Sequence, residues 1–240
     1  MPERRQLELP HRYILGLYEL LERLTGEFPD ILFEGCCGGG GRFDAGMLYY
    51  CPQTWCSDDT DAHERTVIQY GTSFFYPIST VGSHVSAVPN HQTGRMTSIQ
   101  ARGAVAMAGS FGYELDLNTL SEEEKQEVKE QVKTYKRYQD LIYNGLYYRV
   151  CDPMAGKLSV WEFVAKDQSE VLVQGVVYRA EPNELRKRVR LTGLAEEAEY
   201  QVEGEETVYT GAALMAGGIL LPEIKGDDVA IQICLKRTDR

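Results

Sequence analysis

Three carboxylates, Asp58, Asp59 and Asp61, stand close together behind Trp55 in the run Trp55-Cys56-Ser57-Asp58-Asp59-Thr60-Asp61. The stretch leading to them opens with an apolar tripeptide, Ile31-Leu32-Phe33, and passes through adjacent Cys36 and Cys37 into four glycines, Gly38 to Gly41. An apolar strand running into a Gly-rich loop is how the C-terminal rim of a parallel sheet or barrel reads, and active sites sit on that rim. Carboxylates supply acids, bases and nucleophiles, and an aromatic ring offers a face to the apolar side of a pyranose, so the combination points to sugar chemistry. Plainer readings stand beside it. Asp-rich loops also serve as solvated turns and caps. Cys36 also reads as a small buried hydrophobe. Trp55 packs under a loop as readily as it stacks on a sugar. Asp61, with Glu64 three residues on, has capping-box spacing and is assigned to a helix cap. The glycines form neither G-x-G-x-x-G nor a lead into G-K-[ST], which argues against a phosphate loop.

The elements that must position these residues alternate through the first half. Pro10 to Phe28 reads as a helix with Ile14, Leu17, Tyr18, Leu21 and Leu24 on one face. Ile31 to Glu34 reads as a short strand buried on both faces. A helix starts at Asp61, a strand lies within Phe74 to Val88, small and apolar residues recur at helical spacing over Ser98 to Ala108, and Phe111 to Leu117 is a strand candidate. Ser121 to Tyr143 is the clearest helix, opened by a Ser121/Glu124 capping box and carrying Val128, Val132, Tyr135, Tyr138 and Ile142 on its inner stripe. After Gly145 the texture becomes β, with runs at Leu146 to Val150, Leu158 to Ala165, Val171 to Tyr178, Val189 to Leu191, Tyr200 to Val202 and Val229 to Lys236. These predict a small antiparallel β-sandwich. The first half has the grammar of a parallel α/β barrel, but only about four strand–helix units where a closed barrel needs eight.

Composition narrows the function. The 240 residues are 43% hydrophobic and carry a formal net charge of -11, with no basic block, which argues against nucleic acid and anionic membranes as partners. The N-terminus lacks a signal-peptide core and no run reaches transmembrane length, so a cytoplasmic location is expected. The six cysteines (36, 37, 51, 56, 151, 234) form no C-x-x-C pair and the four histidines have no zinc spacing. Reduced thiols, mostly buried, are expected, with no metal and no cofactor.

Several long segments carry a family resemblance. Glu34 to Asp44 resembles the E-x-C-x-x-G-G-x-R-F-D segment, and Pro52 to Asp61 the P-Q-x-W-x-S-D-D-T-D segment, of the α-galactosidases of glycoside hydrolase family thirty-six. Ile68 to Arg95 matches I-Q-Y-G-T-S-x-x-Y-P-x-S-x-x-G-x-H-V-S-x-x-P-N-H-Q-x-G-R, and Phe111 to Leu117 matches the last barrel strand. The likeness runs from about Pro2 to the C-terminus and implies the C-terminal part of such an enzyme. Residues 1–145 would be the C-terminal half of a (β/α)8 catalytic barrel, strands five to eight, and 146–240 the C-terminal sandwich. The resemblance implies retaining hydrolysis of terminal α-galactosides such as melibiose or raffinose-type sugars. It makes Asp58 the general acid/base, lines the galactose pocket with Cys36, and gives Gly38 a backbone N–H and room for close approach of the sugar. Trp55 joins the binding set, and Asp59 is the control. His84, Asn90 and His91 are expected in structural hydrogen bonds. The family nucleophile, an Asp in a K-W-D-type segment upstream of E-x-C, is absent from these residues, as are the large N-terminal β-domain and the first half of the barrel. An isolated chain that is inactive, or a non-catalytic carbohydrate-binding or assembly fragment, follows from that. The unpaired barrel edges favour a homo-oligomer, or the missing N-terminal half, as partner.

Overall fold

The helix beginning at Leu9 tolerates Pro10 because the first turn needs no amide donor there. This helix, α1 (Leu9–Glu27), follows a 3-10 turn at Glu3–Glu8 in a computed structural model that describes residues 3–36, 38–39, 41–183 and 186–238, with backbone alone at 3 and 4. Cys37 and Gly40 of the Gly-rich reading lie outside the described residues. Two compact units make up the chain, Met1–Asp58 and Asp59–Arg240.

In the first unit the predicted stripe of α1 is its less exposed face, with Leu21 buried. Leu17, Tyr18 and Leu21 pack with Phe33 and with Met47, Tyr50 and Cys51 at α2 (Ala45–Tyr50). Asp44 starts α2 as its N-cap, accepting from Met47 N (2.9 Å) and from Tyr18 Oη (3.2 Å). The paired strand β1 is only Glu34–Gly35 and runs parallel to β2 (Gln53–Thr54), which the alternation of side chains did not reveal. The expectation of a strand buried on both faces over Ile31 to Glu34 is therefore corrected. Ile31 and Leu32 precede the pairing and are exposed, Leu32 at 86%.

In the second unit, α3 (Ala62–Thr72), β3 (Gly82–Ser86), α4 (Ile99–Ala106) and β4 (Ser110–Glu114) follow in order, and β3 and β4 pair in parallel register. Helix α5 (Glu122–Asn144) opens with the full capping box: Ser121 Oγ accepts from Glu124 N and a Glu124 oxygen accepts from Ser121 N. Its inner face includes Gln131, which the apolar stripe omitted. The Gln131 amide donates to Ile99 O (2.9 Å) and accepts from Tyr113 Oη (2.8 Å), so the buried polar group is paired.

The β-rich remainder forms an antiparallel sheet of six strands in the order β10 (Val208–Thr210), β9 (Glu199–Val202), β12 (Val229–Arg237), β7 (Glu170–Val177), β6 (Leu158–Val164), β5 (Leu146–Cys151). A two-stranded ribbon, β8 (Arg188–Val189) with β11 (Ile219–Leu220), supplies the opposite layer together with α6 (Gly211–Ala216). The predicted sandwich is thus lopsided. One face of the large sheet buries Val160, Val173, Ile231 and Leu235 with Leu191, Leu214 and Leu221. The other receives α4 on β7 and β12, and α5 on β6. That is why β6 and β7 read as continuous apolar runs instead of alternating. No helix among the described residues is long and apolar enough to cross a membrane.

Candidate active site

The chemistry-bearing residues leave the ends of the first parallel pair. Trp55 N donates to Gly35 O (2.8 Å), extending the β1–β2 pairing by one bond and placing Trp55 at the strand end. From there the indole Nε1 donates to Asp58 Oδ1 at 3.1 Å. Trp55 is half-buried and Asp58 exposed. This contact from the ring edge to the carboxylate adds to the two roles left open for Trp55 and excludes neither. Cys36 is an exposed free thiol, which removes the buried-core reading for it. Of the other described cysteines, none of them in a disulfide, Cys51 and Cys234 are buried while Cys56 and Cys151 are half-buried, so burial is less general than expected.

The Gly-rich loop meets the carboxylate's backbone through a residue the sequence reading did not single out. Gly38 has φ 55° with nothing within 4 Å of where a Cβ would stand. Gly39 has φ 70°, and a Cβ there would lie 2.5 Å from Asp58 N and 2.7 Å from Ser57 Cα. Gly38→Ala is expected to cost only the left-handed backbone term, about 1 to 2 kcal/mol. Gly39→Ala adds overlap with fixed backbone and is expected to cost about 3 kcal/mol or more. Urea unfolding of the two variants checks this, and equal losses would remove the close approach from the account.

The two carboxylates after Asp58 bond to nearby backbone. Asp59 Oδ1 accepts from Asp61 N (3.0 Å). Asp61, 2% exposed, caps α3 as expected by accepting from His63 N (2.9 Å) and Glu64 N (3.4 Å). Thr93 Oγ1 and Arg95 Nη1 also donate to it. Burial pushes this carboxyl up, but the bonds from Thr93, Arg95 and His63 N outweigh it and hold the group below the usual carboxylate range. Glu64 faces Arg95 at 3.7 Å, and no reciprocal bond closes a capping box at α3. Asp61→Asn is expected to lose about 2 kcal/mol at neutral pH, a loss that vanishes as pH falls through the depressed native value, because only then does the native carboxyl protonate. Denaturation of wild type and variant at pH 7 and pH 3 checks it.

Asn90 is buried, donates to Thr60 Oγ1 (3.1 Å) and accepts from Gln92 N and Thr93 N, a structural role. His84 Nδ1 lies 3.5 Å from Glu114, and His91 is exposed. Among the described residues no group of three or more His, Cys, Asp and Glu could hold a metal ion. A cleft of about 660 Å³ in the second unit is lined by Arg137, Tyr138, Glu203 and Cys234 among others, and by none of residues 31–61.

Two parallel strand pairs, the first of them leading into a carboxylate-bearing loop, are followed by an antiparallel sheet domain. The family model described as Melibiase matches residues 1–145, and that of the glycosyl hydrolase family 36 C-terminal domain matches residues 158–235. The chain belongs to this family, the family 36 glycoside hydrolases of melibiase type. It is 55% identical over 93% of its length to the bifunctional alpha-galactosidase/sucrose kinase AgaSK of Mediterraneibacter gnavus, and 51% identical over 98% of its length to alpha-galactosidase AgaA of Geobacillus stearothermophilus. It spans 24% and 32% of those proteins. A crystal structure of a substituted AgaA in complex with raffinose superposes with a TM-score of 0.95 at 50% identity, covering 99% of this chain and 33% of that one.

Proposed function

We propose that the chain forms part of a retaining α-galactosidase and contributes its general acid/base, Asp58. The Trp55 indole N–H on Asp58 Oδ1 carries this reading, since it fixes one carboxylate oxygen and leaves the other to face a substrate. Further support comes from the crystal structures of AgaA with raffinose and with stachyose, both α-galactosides. In the first step Asp58 protonates the glycosidic oxygen while a second carboxylate attacks the anomeric carbon. In the second step Asp58 takes a proton from water, which displaces that carboxylate. Cys36 and Gly38 belong to the galactose pocket, with Trp55 at its edge.

The 240 residues contain no K-W-D segment, so the nucleophile comes from polypeptide beyond them. Residues 1–145 are read as barrel strands five to eight with their helices, and 146–240 as the C-terminal sheet domain. The test is hydrolysis of an aryl α-galactoside by the purified chain, and by the chain supplied with the K-W-D-bearing segment. The expected result is no turnover alone and turnover on complementation, lost in Asp58→Asn. Robust turnover by the chain alone, lost in Asp58→Asn, would mean that these residues hold a nucleophile.

A second reading, a carbohydrate-binding or assembly fragment, is favoured by the exposed apolar residues of the first unit: Leu7, Leu9, Leu15, Ile31 and Leu32. Galactose binding by a stable oligomer, with no turnover on complementation, would select it.

A further inference from the structure

The four residues from Trp55 to Asp58 carry the carboxylate away from the end of β2. Both ends of that tetrapeptide rest on one short segment of the first unit, between Gly35 and Gly39. At the near end Trp55 N donates to Gly35 O (2.8 Å). At the far end Gly39 packs against the Ser57–Asp58 peptide. A Cβ on Gly39 would stand 2.5 Å from Asp58 N, 2.7 Å from Ser57 Cα and 3.0 Å from Ser57 C. All three neighbours are backbone atoms, which cannot rotate aside as a flexible side chain would. Gly39 also has φ 70°, in the left-handed region that glycine enters without steric cost. The backbone conformation and the lack of a side chain are separate demands. Gly38, with φ 55° and open space where its Cβ would stand, makes the first demand without the second.

The Trp55 indole N–H meets the Asp58 side chain at 3.1 Å, but such a bond aims a carboxylate well when the main chain beneath it is also fixed. Pairing of β1 with β2 fixes the Trp55 end of the turn, and the Gly39 contact fixes the Asp58 end. We infer that Gly39 is a positioning residue. Its bare Cα sets how closely the Asp58 main chain lies on the glycine loop, and with it the reach of the carboxylate toward a substrate. A methyl group at position 39 has to push the Ser57–Asp58 peptide away by roughly half an ångström or more, and misplacement on the ångström scale costs a positioned reaction about tenfold to a hundredfold. The catalytic half of this inference rests on the reading of Asp58 given above, whereas the geometric half does not.

Two tryptophans make the test specific. Trp55 donates its indole N–H to Asp58, whereas Trp161 is buried in β6 and donates to Gln174 (3.4 Å). In the ¹⁵N-labelled chain, Gly39→Ala is expected to displace the Trp55 indole resonance and leave that of Trp161 unchanged. Gly38→Ala shares the left-handed backbone but meets no neighbour, and is expected to leave both in place. In the complemented enzyme Gly39→Ala should lower kcat/KM about tenfold to a hundredfold for a galactoside with an unactivated leaving group, and less than about threefold for a nitrophenyl galactoside, as a misplaced acid would. One glycine inserted between Gly38 and Gly39 adds no side chain and costs little, because surface loops tolerate added length. It shifts Gly39 off the Ser57–Asp58 peptide, is expected to have the same two effects, and serves alone if Gly39→Ala does not fold. An unmoved Trp55 resonance overturns the proposal. So does an equal loss on both substrates where Asp58→Asn itself discriminates between them, which is what a changed sugar pocket or lost stability would give. Failure of the acid/base reading looks different: the Trp55 resonance moves in Gly39→Ala, yet the complemented enzyme keeps its turnover in Asp58→Asn.

Discussion

Asp58→Asn is expected to lower kcat/KM of the complemented enzyme by about a thousandfold or more for a galactoside with an unactivated leaving group. The amide keeps the shape and still accepts from Trp55 Nε1, but it has no proton for a departing alkoxide. A nitrophenyl galactoside needs less protonation on departure, so its first step should suffer far less. Its second step still lacks a base to activate water, and added azide, which needs no base, should restore turnover by trapping the intermediate as a glycosyl azide. Asp59→Asn is the control. Its Oδ1 accepts from Asp61 N, a bond the amide oxygen reproduces, so turnover should remain within about threefold of wild type, a change of less than 1 kcal/mol. Equal losses at Asp58 and Asp59, or a loss at Asp58 independent of the leaving group, would remove Asp58 from the acid/base role. The measurement is steady-state kinetics on two substrates with and without azide.

Glu162→Gln is expected to turn a pH-dependent weakness of the sheet domain into a pH-independent one. Glu162 lies on β6 with no exposed surface, facing the layer that contains Leu191 and Leu194. One oxygen accepts from Thr192 N (2.6 Å), and Oε2 has no hydrogen-bond partner among the described residues. Burial pushes its carboxyl up from 4.5 to about 8, only partly opposed by the Thr192 amide. The sign follows from proton binding. Between pH 4.5 and about 8 the native group keeps its proton while the unfolded one has lost it, so stability present below pH 4.5 drains away as pH rises toward 8. By pH 7 that amounts to a loss on the order of 3 kcal/mol. Glutamine retains the acceptor for Thr192 N but places an unpaired N–H₂ where Oε2 stood, at a cost of about 1 to 2 kcal/mol at every pH. The variant should therefore be no more stable than wild type at pH 5, and more stable by about 2 kcal/mol at pH 8. Urea unfolding at the two pH values decides it. A stability difference that does not change between them would mean that Glu162 does not titrate in this range.

Local signals were read well where one residue settles its own neighbourhood. Ser121 with Glu124, and Asp61 ahead of α3, are caps because a short polar side chain can reach amides two or three positions away in any such helix start. The stripe of α1 follows from helical geometry alone. The long motifs from Glu34 to Arg95 were enough to name the family. Other features needed the fold. Strand β2 is two residues long and exists only because β1 lies beside it. Leu32 looks like core in the sequence yet is exposed, because burial depends on what the rest of the chain brings to it. Gly39 is indistinguishable from its neighbours in a run of four glycines, and only the approach of the Ser57–Asp58 backbone leaves it no room for a side chain. Arg95 and Thr93 reach Asp61 across more than thirty residues, and Asp228 reaches His63 across 165. Composition and spacing thus determined which groups are available and which helices begin where. The contacts from Thr93 and Arg95 that saturate Asp61, and the one that ties Asp228 to α3, are long-range, and tertiary structure alone decided them, because hydrogen-bond geometry is a property of positions in space.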